Sequence, residues 1–350
     1  MSPERRVAWG VVGSGGIALR RTIPEGIVPA GNARLAAVYD LNQQINRQAA
    51  ERFGARAAAS LEELLAAEVE AVYLATPVHL HREQVLACAR AGKHVLCEKP
   101  LGLTLAEAEQ MVAACRQAGV RLGTAFMMRF HAQHRAALSL IQEGRLGRPV
   151  YARAQLSCWY PPLPGAWRQD PELGGGGALM DMGGHCLDLL EMFFGPVRRL
   201  SCFTARAVHG YAVEDGATVL LEFANGALGA VDTFFSIPDE ACDNTLELYG
   251  SEGSIQARGT IGQGSRGVMT ARLRAGGAAY DAQQARPAGG GLEIAPEPVN
   301  TYRAEIEEFS QAVLEGRAPA ATGEDGLRNQ RLLAACYESA RTARAVEVQP

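Results

Sequence analysis

The chain has 350 residues, 47% of them hydrophobic and 21% charged, with a formal net charge of −4. That length exceeds one ordinary core, so two domains are expected, and the composition excludes a disordered or membrane-embedded chain. Mild acidity speaks against a general nucleic-acid or anionic-membrane binder, and no apolar run approaches the ~18–20 residues of a membrane span.

The first strand, Arg5–Val12, begins too soon after Met1 to leave a signal-peptide core, so a cytoplasmic protein is expected. Further strands are expected at Arg34–Tyr39, Ala71–Ala75, His94–Cys97 and Arg121–Ala125. Helices are expected near 16–28, 42–53, 61–67, 80–91 and 104–118. Val7-Ala-Trp-Gly-Val-Val12 is continuously apolar, as in a strand covered on both faces. Ser60 and Thr104 stand at N-cap positions, and Gly54, Gly92 and Gly119 stand where helices end. This alternation predicts an α/β fold, a parallel doubly wound sheet over residues 1–125.

Past residue 126 the pattern changes. A helix near 132–143 ends at Gly144, and the strand Val150–Cys158 follows. An irregular Pro-rich loop and the run Gly174–Gly177 lead into a helix near 178–193. Short strands with turn signals at Asn225-Gly226, Gly250 and Gly253 fill 197–275, predicting a large, mostly antiparallel open sheet in an α+β domain, 126–350. Residues 276–292 read as a mobile loop. Helices near 301–315 and 324–343 close the chain and are free to pack back on the first domain.

Eight cysteines lie singly with no C-x-x-C, which predicts buried small hydrophobes and no metal site. Only two of the 34 basic residues are lysines, Lys93 and Lys99. Lys93 is expected at an exposed turn. Lys99 ends a strand at the ligand edge of the sheet, where it could donate to a substrate oxygen or simply pair with Glu98. Pro100 is a candidate cis site.

Gly13-Ser14-Gly15-Gly16-Ile17-Ala18 fits G-x-G-x-x-G/A between a strand and a helix, the turn that cradles a dinucleotide pyrophosphate. Asp40 ends the second strand, placed to accept from both adenine-ribose hydroxyls and to repel the extra phosphate of NADP. NAD is therefore expected, with NADP as the alternative. Thr76, Pro77, His79 and His81 follow the third strand as loop residues beside the cofactor, unless they only start the next helix. Asp181 and His185 are spaced i, i+4, so the carboxylate could orient the imidazole as acid or base, or the two could be a surface pair.

Ala75-Thr-Pro-Val-His-Leu-His81, Ala91-Gly-Lys-His-Val-Leu-Cys-Glu-Lys-Pro100 and Gly175-Gly-Gly-Ala-Leu-Met-Asp-Met-Gly-Gly-His185 resemble the glucose-fructose oxidoreductase / inositol dehydrogenase / rhizopine catabolism (GFO/IDH/MocA) family along nearly the whole chain. The resemblance implies hydride transfer between a nicotinamide and a sugar, inositol or related polyol. It makes Lys99, Asp181 and His185 catalytic, with His185 taking the proton in oxidation. Trp159-Tyr160-Pro-Pro, Trp167-Arg168 and Val213-Glu-Asp-Gly216 are most similar to the 1,5-anhydro-D-fructose reductase branch and its aldose-dehydrogenase neighbours. By that likeness Glu98, Trp167 and Arg168 contact the cofactor, and Arg129, Tyr160 and Tyr302 face the substrate. That branch favours NADP and carries a small polar residue where this chain has Asp40, so its cofactor and substrate are not carried over. The second domain is expected to bind substrate and to pair subunits into a homodimer or homotetramer. Two rivals remain at this point: a non-catalytic sensor of the same fold, and a nicotinamide enzyme with a closed redox cycle of glycosidase or epimerase type.

Overall fold

The computed structural model describes residues 5–274, 282 and 290–349. Its first half holds strands β1 (Val7–Val12), β2 (Ala33–Tyr39), β3 (Arg56–Ala57), β4 (Ala71–Leu74), β5 (His94–Cys97) and β6 (Leu122–Thr124). They form one parallel sheet in the order β3-β2-β1-β4-β5-β6. Strand order reverses between β1 and β4, the switch point at which open α/β sheets bind ligands. Sequence reading expects five of these strands. The sixth, β3, is two exposed residues with no apolar pattern to announce it.

Local chemistry explains the helix boundaries. Asn42, Ser60 and Thr104 each accept backbone N–H bonds from the first turn of the helix that follows. Gly54 and Gly119 end helices at φ 68°, a left-handed conformation that glycine adopts without cost. Every residue of β1 is buried, because helices cover both faces. One of them arrives from far along the chain. The helix Thr301–Glu315 lays Ile306 and Phe309 into the core of Val7, Trp9 and Val11. Trp9 meets Phe309 with ring centroids 5.4 Å apart, and its Nε1–H donates to Ser310 Oγ at 3.0 Å.

The second sheet comprises β7 (Pro149–Ser157), β8 (Val197–Ala205), β9 (Gly216–Phe223), β10 (Leu228–Phe234), β11 (Thr245–Gly250), β12 (Gly253–Arg258), β13 (Val268–Leu273), β14 (Leu292–Glu293) and β15 (Val346–Glu347). The order is β14-β13-β12-β11-β7-β10-β9-β8-β15, antiparallel throughout except between β7 and β10. Ala152, Ala154, Val219, Leu221 and Leu248 face inward onto the helices Gly184–Phe194 and Gly323–Thr342. Phe203, Leu220 and Leu228 stand exposed on the opposite face. Of the expected loop at 276–292, only 282 and 290–292 fall among the described residues. Among the described residues, no helix is long and apolar enough to cross a membrane.

Candidate active site

The glycine turn sits at the switch point. Gly13 has φ +79°, and a Cβ there would lie 2.8 Å from the Ala75 carbonyl carbon, so only glycine lets β1 and the end of β4 come this close. Gly16 has φ +48° and faces open space, leaving its backbone bare ahead of the π-helical segment Ala18–Ile27. Ser14 is fully buried, and its Oγ has no hydrogen-bond partner. At the end of β2, Asp40 Oδ2 accepts from Gly15 N–H at 3.1 Å and Oδ1 from Asn42 N–H at 2.9 Å. A groove of about 580 Å³ runs past Gly13, Gly16, Asp40, Thr76, Pro77 and Trp167. The bare turn, the carboxylate at the far end and the groove between them fit a nicotinamide dinucleotide.

A second cavity of about 410 Å³ adjoins this groove, with Trp167, Thr76 and Gly16 on both walls. Into it project Lys99, Tyr160, Arg168, Asp181, His185 and Tyr302. Lys99 follows β5 and is joined to Pro100 by a cis peptide bond. Its Nζ donates to Asp181 O at 2.6 Å and to Asp181 Oδ1 at 2.8 Å. Arg168 Nε–H donates to the same Oδ1 at 3.0 Å, with its guanidinium over the Trp167 ring at 4.2 Å. Burial alone would raise the Asp181 carboxyl, but Lys99 and Arg168 outweigh it and hold it well below the usual carboxylate range. His185 is driven the other way. Burial first, then the Lys99 charge, push it well below the ordinary histidine value despite Asp181, so the imidazole is neutral at pH 7. His185 Nδ1 is buried with no hydrogen-bond partner in the protein.

Several expected placements are corrected. Asp181 does not hydrogen-bond His185: two cations take its carboxylate, and the intervening turn, Leu179–Gly183, is π-helical, wider than the α turn on which i, i+4 pairing depends. Arg129 does not face the substrate cavity. It lies on the short turn Met127–Phe130, where Met127 and Met128 take the cavity side. Arg129 instead forms a two-pronged pair with Asp188, at 2.6 and 2.9 Å, and a contact with Asp325 at 3.3 Å. His81 is buried behind the cofactor loop, its ring nitrogens on the carbonyls of Thr76, Pro100 and Leu101. His79 Nδ1 lies 3.3 Å from Leu173 O, and neither histidine lines the groove or the cavity. Lys93 is half-buried rather than exposed, donating to Val69 O at 2.7 Å.

Glu98 does line the cavity, held by Tyr73 OH at 2.5 Å and by Lys99 N–H at 3.2 Å. Sequence reading missed Arg20, Cys158, Phe235 and Gln263, which complete the walls. Arg20 and Cys158 stand just outside two of the quoted motifs, Gly13–Ala18 and Trp159-Tyr160-Pro-Pro, and Phe235 and Gln263 lie near none of them. Burial pushes the Cys158 thiol up to about 12, so it is an uncharged wall and not a nucleophile. Among the described residues, no group of three His, Cys, Asp or Glu side chains gathers as a metal site.

Two family models match the chain. Residues 7–126 match an oxidoreductase family with an NAD-binding Rossmann fold, and 134–256 match the GFO/IDH/MocA C-terminal domain. A 1,5-anhydro-D-fructose reductase from Ensifer adhaerens is 33% identical over 345 residues, 97% of this chain and 98% of the reductase. A D-xylose 1-dehydrogenase (NADP(+)) from Haloferax volcanii is 30% identical over 351 residues, 97% of this chain and 99% of the dehydrogenase. The structure of a levoglucosan dehydrogenase with NADH and levoglucosan superposes with a TM-score of 0.84 at 25% identity, covering 99% of this chain and 100% of that one.

Proposed function

The chain belongs to the GFO/IDH/MocA oxidoreductase family, and from that premise we propose that it moves a hydride between NAD and a carbinol carbon of a sugar or related polyol. The observation that carries this reading is the junction of the two cavities, where Lys99, Asp181 and His185 meet the end of the dinucleotide groove. A bound nicotinamide supplies the hydride acceptor in one direction and the donor in the other.

The chain's own residues do the rest. Lys99, charged and pinned by Asp181, presents N–H donors to the substrate oxygen and stabilises alkoxide character as the proton leaves. His185, neutral and on the cavity wall, takes that proton in oxidation and returns it in reduction. Asp181 holds Lys99 and Arg168 in place, and Arg168 braces Trp167 where the two cavities meet. Tyr160 and Tyr302 shape the substrate end. NAD is preferred over NADP because the Asp40 carboxylate, lining the groove, would repel a 2′-phosphate.

The same reading divides the chain near residue 125, with the helices after residue 300 completing the first core. It makes the protein a cytoplasmic homodimer or homotetramer, acting on small carbohydrate-like molecules rather than nucleic acid or membrane. Eight cysteines free of disulfides support that compartment.

The test is a spectrophotometric screen of aldoses, inositols and keto-sugars with NAD(H) and NADP(H). With the best substrate, Lys99→Met and His185→Gln are expected to lower kcat by about 100-fold or more. Oxidation should persist below the ordinary histidine pKa and fail only as pH drops through the lowered value of His185. Turnover near wild type in either variant overturns the assignment.

A further inference from the structure

The helix that carries Asp181 and His185 begins without a side-chain cap from its own segment. Its cap comes from the loop before β9. Glu214 Oε1 accepts from Gly177 N–H at 2.9 Å and from Leu179 N–H at 3.0 Å. It accepts a third bond from Tyr337 OH at 2.9 Å, reaching in from the helix Gly323–Thr342. The Glu214 backbone joins in, its carbonyl accepting from Ala178 N–H at 3.1 Å. A carboxylate at this end also matches the positive end of the helix dipole.

The glycine run exists to admit this group. A Cβ on Gly177 would lie 1.9 Å from Glu214 O, and one on Gly176 would lie 1.9 Å from the Tyr337 hydroxyl oxygen. A side chain at Gly177 would collide with the Glu214 backbone, and one at Gly176 would push the Tyr337 hydroxyl aside. Glu214 is 8% exposed and touches neither cavity, so it acts on nothing that binds there directly.

It stands close to what does. Lys99 binds the backbone carbonyl of Asp181 as well as its carboxylate, so the placement of the helix backbone is itself part of the site. Leu179, which Glu214 holds, is two residues from Asp181. Asn329, on the same helix as Tyr337, donates Nδ2–H to Gly184 O at 2.8 Å, next to His185. The start and the middle of the catalytic helix are thus both tied to one long C-terminal helix.

We propose that Glu214, backed by Tyr337, is a positioning residue that fixes the start of this helix so that Asp181 meets Lys99 and His185 faces the substrate. The proposal rests on the hydride-transfer reading above. Its test uses the full chain as wild type, Glu214→Ala, Glu214→Gln and Tyr337→Phe. The first readout needs no substrate: the ring NMR signal of His185, assigned with His185→Gln, in the NADH-bound protein. It should move in Glu214→Ala and return toward wild type in Glu214→Gln, whose amide oxygen still accepts.

With the best sugar of the screen, Glu214→Ala should lose about 10- to 100-fold in kcat, as a misplaced reacting group does. KM and NADH affinity should change far less than kcat, since Glu214 itself lines neither the groove nor the cavity. Glu214→Gln should regain most of that loss, and Tyr337→Phe should lose less, about threefold, since the two backbone N–H bonds to Glu214 Oε1 remain. A folded Glu214→Ala protein with the wild-type His185 signal and kcat overturns the proposal. If that variant does not fold, wild-type values for both readouts in Tyr337→Phe overturn it instead. A chain that oxidises and reduces no sugar defeats the functional reading alone, and the His185 signal still decides the role of Glu214.

Discussion

Asp40 does two jobs with one carboxylate: it ties the glycine turn through Gly15 N–H and Asn42 N–H, and it closes the groove with a negative charge. Changing the charge while keeping an acceptor separates the two. Asp40→Asn is expected to weaken NAD binding about tenfold, the scale of charge-assisted hydrogen bonds lost to the ribose. It should also let NADP be used, because the repulsion against a 2′-phosphate is gone. Steady-state kinetics with both dinucleotides checks this, and unchanged NAD preference would show that Asp40 is only part of the turn.

The helix Gly184–Phe194 joins two separate charge systems, with His185 on the cavity side and Asp188 on the other. Asp188 is buried and Arg129 is its main counter-ion. Arg129→Met leaves that carboxylate without its charge partner, so stability is expected to fall by about 3–5 kcal/mol in denaturant titration. The folded fraction should keep its NADH affinity, since Arg129 touches neither the groove nor the catalytic cavity; a specific loss of substrate binding would restore it to the site. Arg129 also marks where sequence reading stops. Its position after β6 was legible, but which side of a four-residue turn it occupies depends on Asp188 and Asp325, 59 and 196 residues away. Gly13, Asp40 and Lys99 were legible because each follows a strand whose direction alone aims it at the switch point. The i, i+4 reading of Asp181 and His185 assumed an α-helix, and nothing in Leu179-Met-Asp-Met-Gly183 announces the π turn. Glu214 was visible only as part of a motif, since its purpose appears when Gly177 and Tyr337 close around it.

At the scale of the molecule, the nine-stranded sheet covers its inner face with helices and presents Leu220, Leu228 and Phe203 outward. If subunits pair through this face, Leu220→Lys with Leu228→Lys should convert the assembly to smaller species in sedimentation velocity, by burying charge without a partner. An unchanged sedimentation coefficient would rule this face out as a subunit interface. The other large-scale feature is the closure of the first core by Phe309 and Ser310 against Trp9, across a sequence separation of 301 residues in the Trp9–Ser310 bond. During synthesis the six-strand sheet emerges whole while the helix that covers Trp9 is still unmade. At about 5–20 residues per second, that surface stays wet for roughly ten seconds or longer. The order in which this chain leaves the ribosome is therefore not the order in which its domains are finished. A nascent chain stalled near residue 130 would lack the helix that covers Trp9 and is expected to leave that face open to solvent.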